Sequence, residues 1–316
     1  MTPSSALAGD RLAPPRAPRV EAVGTPLRPA RARAGIVLEA CRPRQWLKNA
    51  VVALPPAAAG ALSRPSTLVA VAGAVITFCL LASSTYLIND VRDLASDRRH
   101  PQKRFRPIAA GQLAPALALK IAAALALAGV LLSLAIRPAL ALVALCYLTL
   151  TLSYSMVWRD IVVADIVIVA LGFLVRAAAG GVAADVPLST SFLIVTSACA
   201  VFLVVGKRYG ELRKQHTAPT RLTLKRYSPR MLRAVLLAAG AVAWLAYARW
   251  AIAHPGPGPW IKLSAVPFSA WLGRYWLIVR RGGGEAPEGL ILGDRMLLLF
   301  GAAWAALFAI GLYGTG

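Results

Sequence analysis

The stretch YLINDVRDLASDRRHPQKRFRP, residues 86–107, decides how the rest of the chain is read, because a long apolar run stops there in acids and then in bases. Asn89, Asp93 and Asp97 recur at i, i+4 and i+8, with Tyr86 and Asp90 within a turn of them, so a helix would present them along one side. Hard oxygen donors in that number suit Mg²⁺, which gives up its waters reluctantly and is usually shared between one or two carboxylates and the phosphates of a substrate. The bases that follow, Arg98, Arg99, Lys103, Arg104 and Arg106, would neutralise the remaining phosphate charge. The residues predict a magnesium-diphosphate site. The alternative is a solvated helix end in which each Asp pairs with a nearby Arg, but acids that directly continue a membrane-length apolar run are costly without a function.

Composition sets the surroundings of that stretch. With 316 residues, 58% hydrophobic and 15% charged, and a mean hydropathy of +0.63, the chain has too much apolar surface for a water-soluble domain and belongs in a membrane. Cys41, Cys79, Cys146 and Cys199 are scattered, three of them inside apolar runs, so they form neither a zinc spacing nor a disulfide framework. The net charge of +22 is a topology signal and does not point to nucleic acid. Residues 1–34 hold six prolines and six arginines without apolar periodicity. They read as a disordered basic arm lying near anionic membrane lipid, and not as a signal peptide, ahead of a catalytic domain over 35–316.

Apolar segments up to about residue 62 and at about 67–88, 113–136, 139–157, 161–183, 188–206, 231–253, 259–279 and 290–313 predict nine transmembrane helices, each near the roughly 20 residues a bilayer requires. The first is the weakest, short and interrupted by Pro55 and Pro56. With the N-terminus inside, the connections on the cytoplasmic side hold nineteen Lys and Arg and those on the opposite side four. That excess orients an all-α, multi-pass bundle in the plasma membrane with its acidic stripe and a shared cavity facing the cytoplasm.

Lys48, Lys103, Arg104, Arg106, Arg159, Lys207 and Arg208 all fall at that end, on different helices, and would ring one substrate site if the bundle closes. Tyr209 sits beside the last two at the end of its helix. Positive-inside bias is the better account of Arg98, Arg99 and the 213–230 cluster. Arg176, well inside an apolar helix in GFLVRAAAGG, must face the bundle interior. It either pairs with Asp165 or another acid, or binds a substrate phosphate. Gly180 and Gly181 read as close helix packing. No Ser or Cys has a base at suggestive spacing, and His100, His216 and His254 form no ligand pattern, which argues against covalent catalysis and zinc.

The NDxxDxxxD of Asn89, Asp90, Asp93 and Asp97, followed by KRFRPIAAG in a bundle of this kind, resembles the UbiA superfamily of intramembrane prenyltransferases. RPRQWLKN at 42–49, the 86–111 stretch, LVRAAAGGVA at 174–183 and GKRYGEL at 206–212 look like its actinobacterial decaprenyl-phosphate phosphoribosyltransferase branch. The resemblance implies transfer of 5-phosphoribosyl from 5-phosphoribosyl 1-diphosphate to a polyprenyl phosphate, with Mg²⁺ as cofactor, for cell-wall arabinan. It implies Asn89 and Asp93 as metal ligands with Asp97 and Asp90 next, Asp90, Asp93 and Lys103 as catalytic, and Lys48, Tyr86, Lys103, Arg159, Arg176 and Lys207 as phosphate and ribose contacts. Prenyl-donor members carry a second acidic motif, DxxxD, where this chain has Asp160 and Asp165 one residue further apart. A prenyltransferase acting on an aromatic quinone precursor is the competing enzyme, and a transporter or lipid flippase the competing class. No inverted repeat supports the latter. A homo-oligomer is left open.

Overall fold

Four of the long apolar segments become helices at a proline, where the missing N–H is one the first turn leaves without a partner in any case. These are α3 (Pro65–Arg92), α5 (Pro115–Ile136), α6 (Pro138–Met156) and α9 (Pro229–Ala253). A computed structural model describes residues 33–213, 226–254, 258–284 and 287–314, with Asp160 described by its backbone alone. The proposed basic arm, apart from Arg33 and Ala34, and most of the 213–230 cluster lie outside the described residues. Among those described, the remaining helices are α1 (Arg33–Cys41), α2 (Leu54–Ala58), α4 (Leu94–Arg99), α7 (Ala164–Ala184), α8 (Thr190–Arg213), α10 (Trp260–Arg280), α11 (Pro287–Gly293) and α12 (Arg295–Tyr313), and there are no strands.

Seven of the described helices, α3, α5, α6, α7, α8, α9 and α12, are long and apolar enough to cross a bilayer, where nine were expected. The first expected span is no single helix. Arg42 takes a left-handed conformation (φ 55°) and breaks it into α1, an 11-residue 3₁₀ segment (Pro43–Ala53) and the five-residue α2. The second shortfall is α10, which has the length, with 21 residues, but carries Lys262, Arg274, Arg280 and an internal Pro267. The bundle is a multi-pass membrane fold with both irregular pieces packed among its spans.

Of the four apolar clusters among the described residues, two are the largest. One gathers Phe78, Leu81, Leu140, Tyr147 and Ala179 from α3, α6 and α7 around Val52 of the 3₁₀ segment. The other gathers Phe202, Val205, Leu232, Leu236, Tyr275 and Leu297 from α8, α9, α10 and α12. α7 packs against α8 and joins the two halves. The 3₁₀ segment reaches its depth because α7 offers a glycine: a Cβ on Gly180 would stand 1.8 Å from the Val52 carbonyl oxygen. That close approach accounts for Gly180 as packing, while a Cβ on Gly181 would meet the Val186 carbonyl oxygen at 2.9 Å.

Candidate active site

α3 does not run on through the acidic stripe. It closes at Arg92, Asp93 forms the joint and the six-residue α4 follows, and the acids of the i, i+4, i+8 stripe take their partners in two groups. Asn89 and Asp93 turn toward the end of α6 and the turn after it: the Ser155 hydroxyl donates to Asn89 Oδ1, and Arg159 Nη1 lies 2.7 Å from Asp93 Oδ2. Asp90 and Asp97, both buried, share Arg106, whose Nη1 is 3.0 Å from Asp90 Oδ1 and 2.6 Å from Asp97 Oδ2. Arg42 also pairs with Asp90, and its guanidinium lies over the Tyr86 ring at 5.2 Å. Between α1, the end of α3 and the 102–107 turn lies a cavity of about 250 Å³ lined by Arg42, Asp90, Gln102, Phe105 and Arg106, among others.

The structure thus gathers many of the residues expected from sequence into local groups of ion pairs and hydrogen bonds. Lys103 is partly buried in a short 3₁₀ turn next to Arg104, which is exposed and covers the Phe105 ring at 4.7 Å. Burial, with the Lys103 charge, pushes the nearby His100 imidazole below its ordinary value, so it is neutral at pH 7 and serves as an acceptor for the Gln102 and Lys103 backbone N–H groups. Lys48 meets Glu288 of α11 at 2.6 Å and Gln45 Oε1 at 2.7 Å. Lys207 is half-buried within charge range of both Lys48 and Glu288.

Among the described residues, Arg176 makes no ion pair with an acid. Its Nε donates to Asn49 Oδ1, Nη1 to the Gly172 carbonyl and Nη2 to the Tyr147 hydroxyl, each at 2.8 Å, and its guanidinium stacks on Tyr147. Asp165 instead pairs with Arg208, with Nε 2.7 Å from Oδ2 in a charge contact that lacks hydrogen-bond alignment, while Arg208 Nη1 meets Glu211 Oε2 at 2.8 Å. The Tyr227 hydroxyl closes the network by donating to Asp165 Oδ1, and burial together with that bond pushes its pKa up to about 12. Tyr209 is buried in the core of the second half. Sequence reasoning missed Ser155, Asn49, Tyr147, Tyr227 and Glu288. Only Glu288 left a signal, as one of two acids, with Glu285, in a Gly-rich stretch between two apolar segments.

Among the described residues, no three His, Cys, Asp or Glu side chains converge as a ready-made cation cage. Such a cage is not what Mg²⁺ requires, since one or two carboxylates plus substrate phosphates suffice. Asn89 Oδ1 and Asp93 Oδ2 are hard oxygens at a helix end held by a hydroxyl and a partly exposed guanidinium, both exchangeable, so the donor set fits the ion.

A helical membrane bundle carrying an acidic turn of this kind defines a class, and residues 50–296 match the UbiA prenyltransferase family, to which the chain belongs. At finer grain it is 39% identical over 287 residues to the decaprenyl-phosphate phosphoribosyltransferase of Corynebacterium glutamicum, covering 88% of this chain and 86% of that protein. It is 40% identical over 285 residues to the Mycobacterium tuberculosis protein of the same name, covering 88% and 94%. Its fold matches a UbiA homolog from Archaeoglobus fulgidus, solved with GPP and Mg²⁺, at a TM-score of 0.65 and 19% identity, over 87% of this chain and 98% of that one.

Proposed function

We propose that this chain transfers 5-phosphoribosyl from 5-phosphoribosyl 1-diphosphate to decaprenyl phosphate and releases diphosphate. The observation that carries the reading is the likeness, at 40% identity over 88% of the chain, to a relative bearing that name. The site's chemistry supports it. Donor and acceptor bring a diphosphate, a 5-phosphate and a lipid phosphate, and Lys48, Lys103, Arg159 and Lys207 are cations enough for three anions. The second acidic motif of prenyl-donor enzymes has no counterpart in function, because Asp165 is buried against Arg208.

Asn89 and Asp93 would hold Mg²⁺ in this proposal, with Asp97 and Asp90 behind them, and a cation held there would supply charge stabilisation for the departing diphosphate. Arg159, released from Asp93, turns to the phosphates, and Lys103 holds the leaving group. The bond from ribose C1 to diphosphate oxygen breaks with its electron pair going to diphosphate, and the lipid phosphate oxygen forms the new bond from the opposite face. That acceptor is already ionised at neutral pH, so no general base is needed; His100 Nδ1 is taken up by the Gln102 and Lys103 backbone N–H groups. Tyr86, one turn before Asn89, lines the same side. Arg176 holds Tyr147 and Asn49 in place beneath the site. The Lys and Arg asymmetry supports a cytoplasmic orientation in the plasma membrane, with the N-terminal arm near anionic lipid.

The test incubates purified protein with labelled 5-phosphoribosyl 1-diphosphate and a series of polyprenyl phosphates, with and without Mg²⁺. Mg²⁺-dependent passage of label into the lipid fraction is expected. No transfer, together with consumption of a polyprenyl diphosphate and an aromatic acceptor, would establish the prenyltransferase instead.

A further inference from the structure

Glu288 is out of place in a phosphate site. It opens α11, which packs on the 3₁₀ segment, and its side chain is 13% exposed, with Oε1 on Lys48 Nζ at 2.6 Å and Lys207 and the Tyr86 hydroxyl within charge range. Burial opposes its ionisation, but the Lys48 charge and hydrogen bond, with Lys207 beyond, hold the carboxyl below the usual carboxylate range, so it is an anion at neutral pH. A fixed anion between two lysines weakens both as phosphate binders and repels any diphosphate that comes near.

The cost is explained if the ligand brings donors as well as anions to this spot. A carboxylate is acceptor-only, and two adjacent hydroxyls on a sugar ring can each donate to one of its oxygens. A polyprenyl diphosphate offers no hydroxyl and meets only the repulsion. Resting on the function proposed above, we infer that Glu288 is a specificity-determining residue that accepts hydrogen bonds from the ribose hydroxyls of the donor and disfavours diphosphates that lack a sugar. Lys48, bonded to the same carboxylate, positions it. The selection works in both directions, because a site that leaves a buried carboxylate without its hydroxyl partners is penalised for the wrong ligand.

The experiment measures, for the full-length protein in detergent with Mg²⁺, the affinities for 5-phosphoribosyl 1-diphosphate and for inorganic diphosphate separately, in wild type, Glu288→Gln and Glu288→Ala. Loss of a hydrogen bond to a charged group predicts a fall of roughly 10- to 150-fold for the phosphoribosyl ligand. Affinity for inorganic diphosphate should hold or rise, which also reports that the variants are folded. Gln, keeping one acceptor oxygen, should fall between wild type and Ala. If both ligands tighten together, Glu288 is a counter-ion of the lysines only and the inference fails. If both weaken together, it is a brace for Lys48, and the inference fails as well. Wild-type protein that binds diphosphate but not the phosphoribosyl ligand would sink the proposed function itself, an outcome distinct from either.

Discussion

Asp93 and Asp165 each meet an arginine at the same distance, 2.7 Å, on Arg159 and Arg208 respectively. Their surroundings differ. The Asp93 and Arg159 side chains are 25% and 30% exposed, whereas Asp165 and Arg208 are 0% and 2% exposed. An ion pair open to water contributes between about 0 and 1 kcal/mol, so either member can change partners at little cost. A pair removed from water is different, since loss of one member strands the other. Burial therefore separates two acids of similar chemistry: Asp93 can change partners, as the proposed exchange of Arg159 for a cation and a phosphate requires, and Asp165 ties α7 to α8.

The sharpest way to break this comparison is Arg208→Ala. It should lower stability by about 3–5 kcal/mol, read as a large drop in the thermal midpoint of the detergent-solubilised protein. An unchanged midpoint with lost donor binding would move Arg208 into the substrate site. Asp93→Asn should do the reverse, leaving the midpoint in place while kcat/KM at limiting Mg²⁺ falls at least about a hundredfold, or about 2.7 kcal/mol. Retention of more than roughly a tenth of wild-type activity would refute the metal assignment. Lys48→Ala should weaken donor binding by about 1.5–3 kcal/mol, visible as reduced protection against unfolding by 5-phosphoribosyl 1-diphosphate with Mg²⁺.

Smaller effects sharpen the same contrast. A third pair, Arg274 with Asp294 at 2.7 Å, also caps α12 through the Leu297 N–H. The Arg274 hydrogen bond, then the Leu297 N–H, holds the Asp294 carboxyl below its usual range. Because the folded pKa is the lower one, its stabilisation is present above the unfolded pKa and is lost as pH falls through the folded value. Asp294→Ala should cost about 1 kcal/mol at neutral pH, with the difference from wild type vanishing in acid unfolding series below that range. Deletion of residues 1–32 should leave specific activity in detergent unchanged, since every site residue lies beyond Arg33. A large loss would assign the arm a role in the chemistry.

Much of this was legible in advance where it depended on local pattern. The expected spans at 67–88, 113–136, 139–157 and 161–183 lie within a few residues of α3, α5, α6 and α7, because apolar runs bounded by proline or charge are decided locally. The segment before residue 62 was not, because a 3₁₀ stretch of 11 residues is stable only against the glycine of a helix far along the chain. The residue types of the proposed metal and phosphate site were visible in the spacing of Asn89, Asp93 and Lys103. The partition between Asp93 and Asp97 was not, since it follows from the helix ending at Arg92, which no periodicity encodes. Arg176 was correctly seen to face inward. That its partners would be an amide, a phenol and a carbonyl is tertiary information.

The contact between Val52 and Gly180 has a consequence for how the molecule is made. Lys48 and Asn49 belong to a segment whose apolar run is short and interrupted by Pro55 and Pro56, and the surface it docks against belongs to α7. At ordinary elongation rates of about 5–20 residues per second, that helix emerges from the ribosome on the order of ten seconds later. Order of synthesis and order of assembly are thus inverted at the N-terminus. A lysine of the site is among the first residues translated, yet it is fixed in position only once half of the bundle stands behind it.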